Sequence, residues 1–199
     1  MKRELTLPID ETTARELRVG DILHLTGKLF TARDEAHRRM LEAHENGEPL
    51  PFDPSEMALY HCGPVVRKSN GGWKAVAAGP TTSARMEMFE DRFLAAFAPR
   101  LIVGKGGMGD GTQKALERIG AAYAHSTGGA GALAARRIER VEAVHWLDEL
   151  GTPEAVWIFA VRDFGPLLVT MDSEGGNLYR DLEPTIAENL KAILARIDG

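Results

Sequence analysis

The stretch LIVGKGGMGDGTQKALERIGAAYAHSTGGAG, residues 101–131, decides the fold class. It opens on a short apolar run, Leu101-Ile102-Val103, which reads as a buried strand. A Gly-rich turn, 104–109, follows, and the spacing then predicts a helix over about 112–119. A second strand is expected over 121–125, a turn at Gly128-Gly129-Ala130-Gly131, and another helix ending near Ile138. This alternation of β and α predicts an α/β, layered domain.

The flanking sequence extends the pattern in both directions. Leu17 to Phe30 carries short β-prone runs between Gly-Asp and Gly-Lys turn signals. Thr31-Ala32-Arg33-Asp34 fits a capping box, so a helix should follow with Ala36, Met40, Ala43 and His44 on one face and Asn46-Gly47 as its stop. Glu48 to Pro54 holds three prolines and reads as a loop. Strands are expected at 58–61, 64–67 and 73–78, the last two joined by Asn70-Gly71-Gly72. Gly79-Pro80 should open a helix whose Met86, Phe89, Phe93 and Phe97 recur at core spacing before Pro99 ends it. Beyond the central stretch, strands are expected at 141–146, 155–161 and 167–171, with a closing helix over about 183–197.

Composition narrows the function. The chain has 199 residues, enough for one domain with a sizeable core, and its 27% charged and 44% hydrophobic content argues against disorder. A net charge of −5 gives no global basic field for nucleic acid. No apolar run is long enough for a membrane span, and MKRELTLPIDETTAREL lacks the apolar core of a secretory signal. The expectation is a soluble, cytoplasmic, single-domain protein. The lone Cys62 can form no internal disulfide, and one thiolate cannot by itself hold zinc or an iron–sulfur cluster. The six histidines show no tight ligand spacing, so any metal in the chemistry must come largely from a partner chain. Cys62 and His61 themselves read as packing or surface residues.

Nine of the 21 glycines fall between Gly104 and Gly131, around the two strand-to-helix turns where backbone N–H groups can meet an anion. Gly104, Gly106 and Gly109 satisfy G-x-G-x-x-G, but a dinucleotide site also wants an acid about 20 positions on. The next strand instead ends in Tyr123-Ala124-His125-Ser126-Thr127. Lys105 also precedes the glycines it would have to follow in a P-loop. Three cations form a more coherent pattern. Arg33, Arg85 and Lys105 each stand near the start of an expected helix, where the dipole disfavours positive charge. Together they suggest an anion held by side chains and backbone N–H groups, with Thr81 sharing a face with Arg85 if the helix has begun there.

The strings GKLFTARDEAHRR (27–39), GPTTSARM (79–86), VGKGGMGDGT (103–112), VHWLDELGTPEAVW (144–157) and FGPLLVTMDSEGGNLY (164–179) resemble the C-terminal, or β, part of class I fumarases and L-tartrate dehydratases. The resemblance runs from about Leu5 to Tyr179 and implies a swivelling β/β/α domain, with residues 1–199 forming a single β-type domain. It implies a hydro-lyase acting reversibly on a 2-hydroxy dicarboxylate, malate/fumarate or L-tartrate/oxaloacetate. In that family a [4Fe–4S] cluster, held by three cysteines of the α part, acts as a Lewis acid on the substrate. The chain then looks like the separate β subunit of a two-subunit enzyme, expected as an α2β2-type assembly with a cysteine-bearing α subunit. By motif, Arg33, Thr81, Arg85, Lys105 and Gly106 are the substrate-facing residues, with Thr81, Lys105 and Arg85 catalytic. Thr81 matches the position proposed as the proton-abstracting base, a role that needs nearby cations to favour an alkoxide. The competing readings are a non-catalytic dicarboxylate-binding or assembly subunit and a nucleotide-binding oxidoreductase.

Overall fold

The computed structural model describes residues 1–69 and 71–197. Its strands are β1 (Lys2–Thr6), β2 (Ile22–Thr31), β3 (Ala58–Tyr60), β4 (Val65–Ser69), β5 (Gly72–Ala77), β6 (Leu101–Gly104), β7 (Ala122–His125), β8 (Ile138–His145) and β9 (Val156–Met171). Its α-helices are α1 (Glu11–Arg15), α2 (Asp34–Glu45), α3 (Glu87–Phe97), α4 (Asp110–Ile119), α5 (Gly131–Ala135), α6 (Leu147–Leu150) and α7 (Leu178–Ile197). Seven strands form one sheet in the order β1-β2-β3-β6-β7-β9-β8, while β4 and β5 pair separately. The run β1-β2-β3-β6-β7 is parallel, and β9 joins it antiparallel. Because β9 pairs with β2 as well as β7, the sheet closes on itself.

Alternation along the central strands sorts the core into two layers. Ala58, Tyr60, Leu101, Val103, Ala122 and Ala124 point to one face, with Leu25, Trp157 and Phe159. Leu59, Ile102 and Tyr123 point to the other, where Met40 of α2, Phe93 and Leu94 of α3, and Leu116 of α4 cover them. Burial on both faces explains why Leu101-Ile102-Val103 is apolar throughout rather than alternating. The hairpin β4–β5 lies over the first face, placing Trp73 against the Trp157 ring at 5.3 Å. The α/β, β/β/α layering expected from the resemblance is thereby present.

Several local expectations are corrected. Gly27 starts no turn: it sits inside β2 at a register shift, with φ +133, where a Cβ would lie 2.8 Å from Leu7 Cβ. Thr31 does not cap a helix, because its buried hydroxyl instead accepts from Trp157 N at 3.0 Å; the N-cap of α2 is Arg33. The buried face of α2 is Ala36, His37, Met40, Leu41 and Ala43, with His44 exposed. Gly79-Pro80 opens no helix; a 3-10 turn over Ser83–Met86 precedes α3. The expected strands 155–161 and 167–171 are one long strand, and α5 ends at Ala135 because Ile138 already belongs to β8. The expected turn residue Asn70 lies outside the described residues. Helix α7 starts earlier than expected and leaves Leu182, Ile186, Leu190 and Ile193 exposed. Among the described residues, no helix is long and apolar enough to cross a membrane.

Candidate active site

Four parallel strands, β2, β3, β6 and β7, end at one edge of the sheet. The candidate residues lie just past those ends. Arg33 follows β2, with Ala32 N donating to Tyr60 O at 3.1 Å. Lys105 follows β6 directly. The segment 79–82 returns to the same edge: Pro80 bridges to Cys62, Thr81 N donates to His61 O at 2.7 Å, and Thr82 pairs with Lys105. Ser83 completes the join, its N–H donating to Lys105 O at 2.9 Å and its hydroxyl accepting from Lys105 N at 3.1 Å. The backbones that carry Thr81 and Lys105 are therefore tied together, and Arg85 leaves the same segment one turn later.

Two of the three cations already have partners within the chain. Arg85 Nη2 donates to Asp34 Oδ2 at 2.8 Å, which draws it beside Arg33. Arg33 Nε lies 3.2 Å from Glu154 Oε1 yet is buried without a hydrogen-bond partner. Its guanidinium passes over Gly63, where a Cβ would stand 2.7 Å from Nη1. Lys105 forms no ion pair among the described residues, which makes it the unneutralised cation of the group.

Backbone N–H groups contribute less than expected. The N-terminus of α4 is filled by the chain's own carboxylate: Glu87 accepts from Gly109 N at 2.7 Å, Thr112 N at 3.2 Å and Thr112 Oγ1 at 2.6 Å. Glu154 likewise accepts from Glu35 N at the start of α2. A phosphate at the Gly-rich loop would have to displace Glu87, so the turn is no ready nucleotide cradle. Thr81 precedes the 3-10 turn, so it and Arg85 share no helical face. Gly106, at φ +77, shapes the turn. Its N–H donates to His125 Nδ1 at 3.2 Å, and its carbonyl accepts from Tyr123 and Tyr179 hydroxyls at 3.0 and 2.6 Å.

Residues that sequence reasoning missed hold these pieces in place. Gly104 has no room for a side chain, since a Cβ would fall 1.9 Å from Ser83 Oγ and 2.7 Å from Tyr123 OH. Ser83 stood inside a quoted motif, but nothing marked its hydroxyl as the hub. His61 is indeed buried, as a packing residue should be, yet its Nδ1 meets Ser83 Oγ at 2.9 Å. Cys62 is 1% exposed and burial pushes its thiol well up, despite the opposing influence of Arg33. One inert thiol does not fit an iron–sulfur cluster, so the donor set of this chain cannot hold one. A groove of about 620 Å³ runs between Ser126, Ala134, Arg137 and Phe164 and does not contain the three cations.

With that geometry in place, comparison with known proteins defines the class. The chain belongs to the fumarase C-terminus family, whose model matches residues 2–182. Among its relatives is the L(+)-tartrate dehydratase subunit beta of Escherichia coli K12, 43% identical over 99% of this chain and 96% of the relative. A provisionally named L(+)-tartrate dehydratase subunit beta of Methanocaldococcus jannaschii is 46% identical over 90% of this chain and 92% of its own length. A provisionally named class I fumarate hydratase of Geobacillus stearothermophilus is 43% identical over 95% of this chain, which spans only 36% of that longer protein.

Proposed function

We propose that this chain is the β subunit of a hydro-lyase that interconverts a 2-hydroxy dicarboxylate and its dehydrated product, with L-tartrate/oxaloacetate favoured over malate/fumarate by the names of its full-length relatives. The observation that carries the reading is the convergence of Arg33, Thr81, Arg85 and Lys105 on one sheet edge through the Thr81–His61 and Thr82–Lys105 backbone pairings. A dianionic substrate suits three cations; a nucleotide does not suit a loop whose helix N-terminus holds Glu87.

In this reading Arg33, Arg85 and Lys105 neutralise the two carboxylates. Arg85 exchanges its Asp34 partner for substrate, and Arg33 its Glu154 partner. Thr81 takes the proton from the carbon next to a carboxylate. The electron pair of that C–H bond becomes the new double bond, and the hydroxyl of the adjacent carbon leaves as water with a proton from the partner chain. Negative charge grows on the carboxylate oxygens as the C–H bond breaks, and the fixed cations stabilise it. They also favour the alkoxide that a hydroxyl must become to act as a base. Gly106 shapes the turn that presents Lys105.

The partner is a cysteine-bearing α subunit, on which the [4Fe–4S] cluster sits and supplies Lewis acidity, in an α2β2-type assembly in the cytoplasm. Residues 1–199 act as one β-type domain. The test is anaerobic reconstitution with that α subunit, followed by assays with malate and L-tartrate. Water elimination from either supports the reading, and dicarboxylate binding without turnover favours a non-catalytic binding subunit.

A further inference from the structure

Beneath the candidate site, three side chains that the proposed chemistry does not use face one another. His37 of α2, His61 after β3 and Glu90 of α3 are each fully buried. Ligand atoms from the three lie within 4.8 Å of one another. His37 Nε2 stands 3.5 Å and His61 Nε2 3.3 Å from Glu90 Oε2. Neither contact is a hydrogen bond: both Nε2 atoms and both Glu90 oxygens lack a hydrogen-bond partner among the described residues. Phe93 packs on the His37 ring at 4.5 Å and Phe89 at 6.2 Å, so the surroundings are apolar. Leaving four polar atoms bare in such a place is costly unless something joins them.

The far side of each ring is anchored. His37 Nδ1 is 2.8 Å from the Arg33 carbonyl oxygen, which only accepts, so Nδ1 carries the proton of the neutral ring and Nε2 presents a lone pair. His61 Nδ1 lies 2.9 Å from Ser83 Oγ. The single hydroxyl proton of Tyr123 goes to the Gly106 carbonyl at 3.0 Å, so Ser83 donates to Tyr123 and accepts from Lys105 N and His61 Nδ1–H. Histidines that bind metal hold their second nitrogen in just this way. The spacing agrees. A charged N–H···O⁻ bond runs about 2.7–2.9 Å, shorter than either contact to Glu90. Two ligands on a tetrahedral ion with bonds of about 2.0–2.2 Å stand roughly 3.3–3.6 Å apart, which is where these atoms lie.

We propose that His37 Nε2, His61 Nε2 and the Glu90 carboxylate bind a structural Zn²⁺ ion that ties α2 and α3 to the segment after β3. Glu90 Oε1, also unpartnered, closes the fourth position. Two imidazole nitrogens disfavour calcium and magnesium, which take oxygen ligands, and the tetrahedral spacing favours zinc over ions that prefer octahedral or square-planar sites. The ion also neutralises a carboxylate that is otherwise buried between two uncharged rings. Full burial gives substrate no path to it, so its role is to hold the fold and not to act in the reaction. Through the outer ring nitrogens it braces the Arg33 carbonyl and Ser83, on which the candidate site is built.

The test is elemental analysis of the full chain, made in zinc-supplemented cells and washed with a chelator to strip loosely held metal. One zinc per chain is expected. X-ray absorption at the zinc edge should show nitrogen and oxygen ligands at about 2.0–2.2 Å and no sulfur. His61→Gln and Glu90→Gln should hold about tenfold less zinc, while Cys62→Ser keeps it. Unfolding the wild type in chelator and refolding it without Zn²⁺ should lower Tm by roughly 5–10 °C, the shift for a ligand at a hundredfold excess over its Kd. A folded wild-type chain with less than about a tenth of a zinc, another metal in its place, or zinc held through sulfur overturns the proposal. So does a folded His61→Gln or Glu90→Gln chain with full zinc content, or an unchanged Tm on stripping. If the variants do not fold, the zinc content and ligand set of the wild type decide alone. None of these readouts needs the α subunit, so they stand whether or not the complex dehydrates either substrate.

Discussion

Replacing Glu87 with alanine tests whether the start of α4 is closed from within. The carboxylate accepts three hydrogen bonds there, two of them from backbone N–H groups that no helical carbonyl can serve. Thr112 is fully buried, so water cannot replace the lost acceptor at its N–H. Leaving one such donor unmet costs about 1–3 kcal/mol, and losing an anion at a helix N-terminus costs about 0.3–1 kcal/mol more. The sum is about 1.3–4 kcal/mol, which for a chain of this size corresponds to a fall in Tm of roughly 3–16 °C. Glu87→Gln keeps one acceptor oxygen and should lose about half as much. Thermal unfolding of the full chain, followed by circular dichroism, reads both. A Glu87→Ala chain that melts within a degree of wild type would refute the reasoning and reopen the Gly-rich turn as an anion cradle.

Other outcomes follow from the same structure. Gly104→Ala should destabilise the chain by about 1–3 kcal/mol or more, because its Cβ collides with Ser83 Oγ; urea unfolding measures it. Lys105→Ala and Arg85→Ala should each reduce kcat/KM of the assembled enzyme by an amount equivalent to about 2–5 kcal/mol while the fold persists, since a desolvated carboxylate is left underpaired. Cys62 should resist aromatic disulfide reagents in the native chain and react only on unfolding; prompt native labelling would contradict its burial. Glu90, held at about 2 against a usual 4.5, contributes stability that is fully present above the higher value and lost as pH falls through the lower one. The urea midpoint of wild type should therefore fall across that window more steeply than that of Glu90→Gln.

Much of the fold was legible because local signals agreed with tertiary need. Leu101-Ile102-Val103 is apolar throughout and bounded by glycine, which is how a strand buried on both faces reads. Asn46-Gly47 stops α2 where expected, with Gly47 at φ +69. The failures lie where a distant partner overrides a local signal. Arg162 to Pro166 lies between two strands expected as separate, yet β9 runs through it because β2 pairs along its length and β7 takes its far end. Thr31 looks like a cap, yet Trp157, 126 residues away, takes its hydroxyl. At the site, the cations stood out by motif. The acids that manage them did not, because Glu154 reaches α2 across 119 residues and Glu87 reaches α4 across 22. The His37–Glu90–His61 trio draws on three separate elements, so no spacing in the sequence announces it.

The central claim is that this chain supplies the carboxylate-clamping half of a two-chain dehydratase. The most direct measurement is an anaerobic titration of this chain into a fixed amount of the cysteine-bearing α subunit, following oxaloacetate formed from L-tartrate. The account predicts no turnover by either chain alone, a rate that rises and saturates as this chain is added, and no comparable rise with Lys105→Ala. An α subunit that turns over fully without this chain, or a Lys105→Ala chain that restores the full rate, would contradict it.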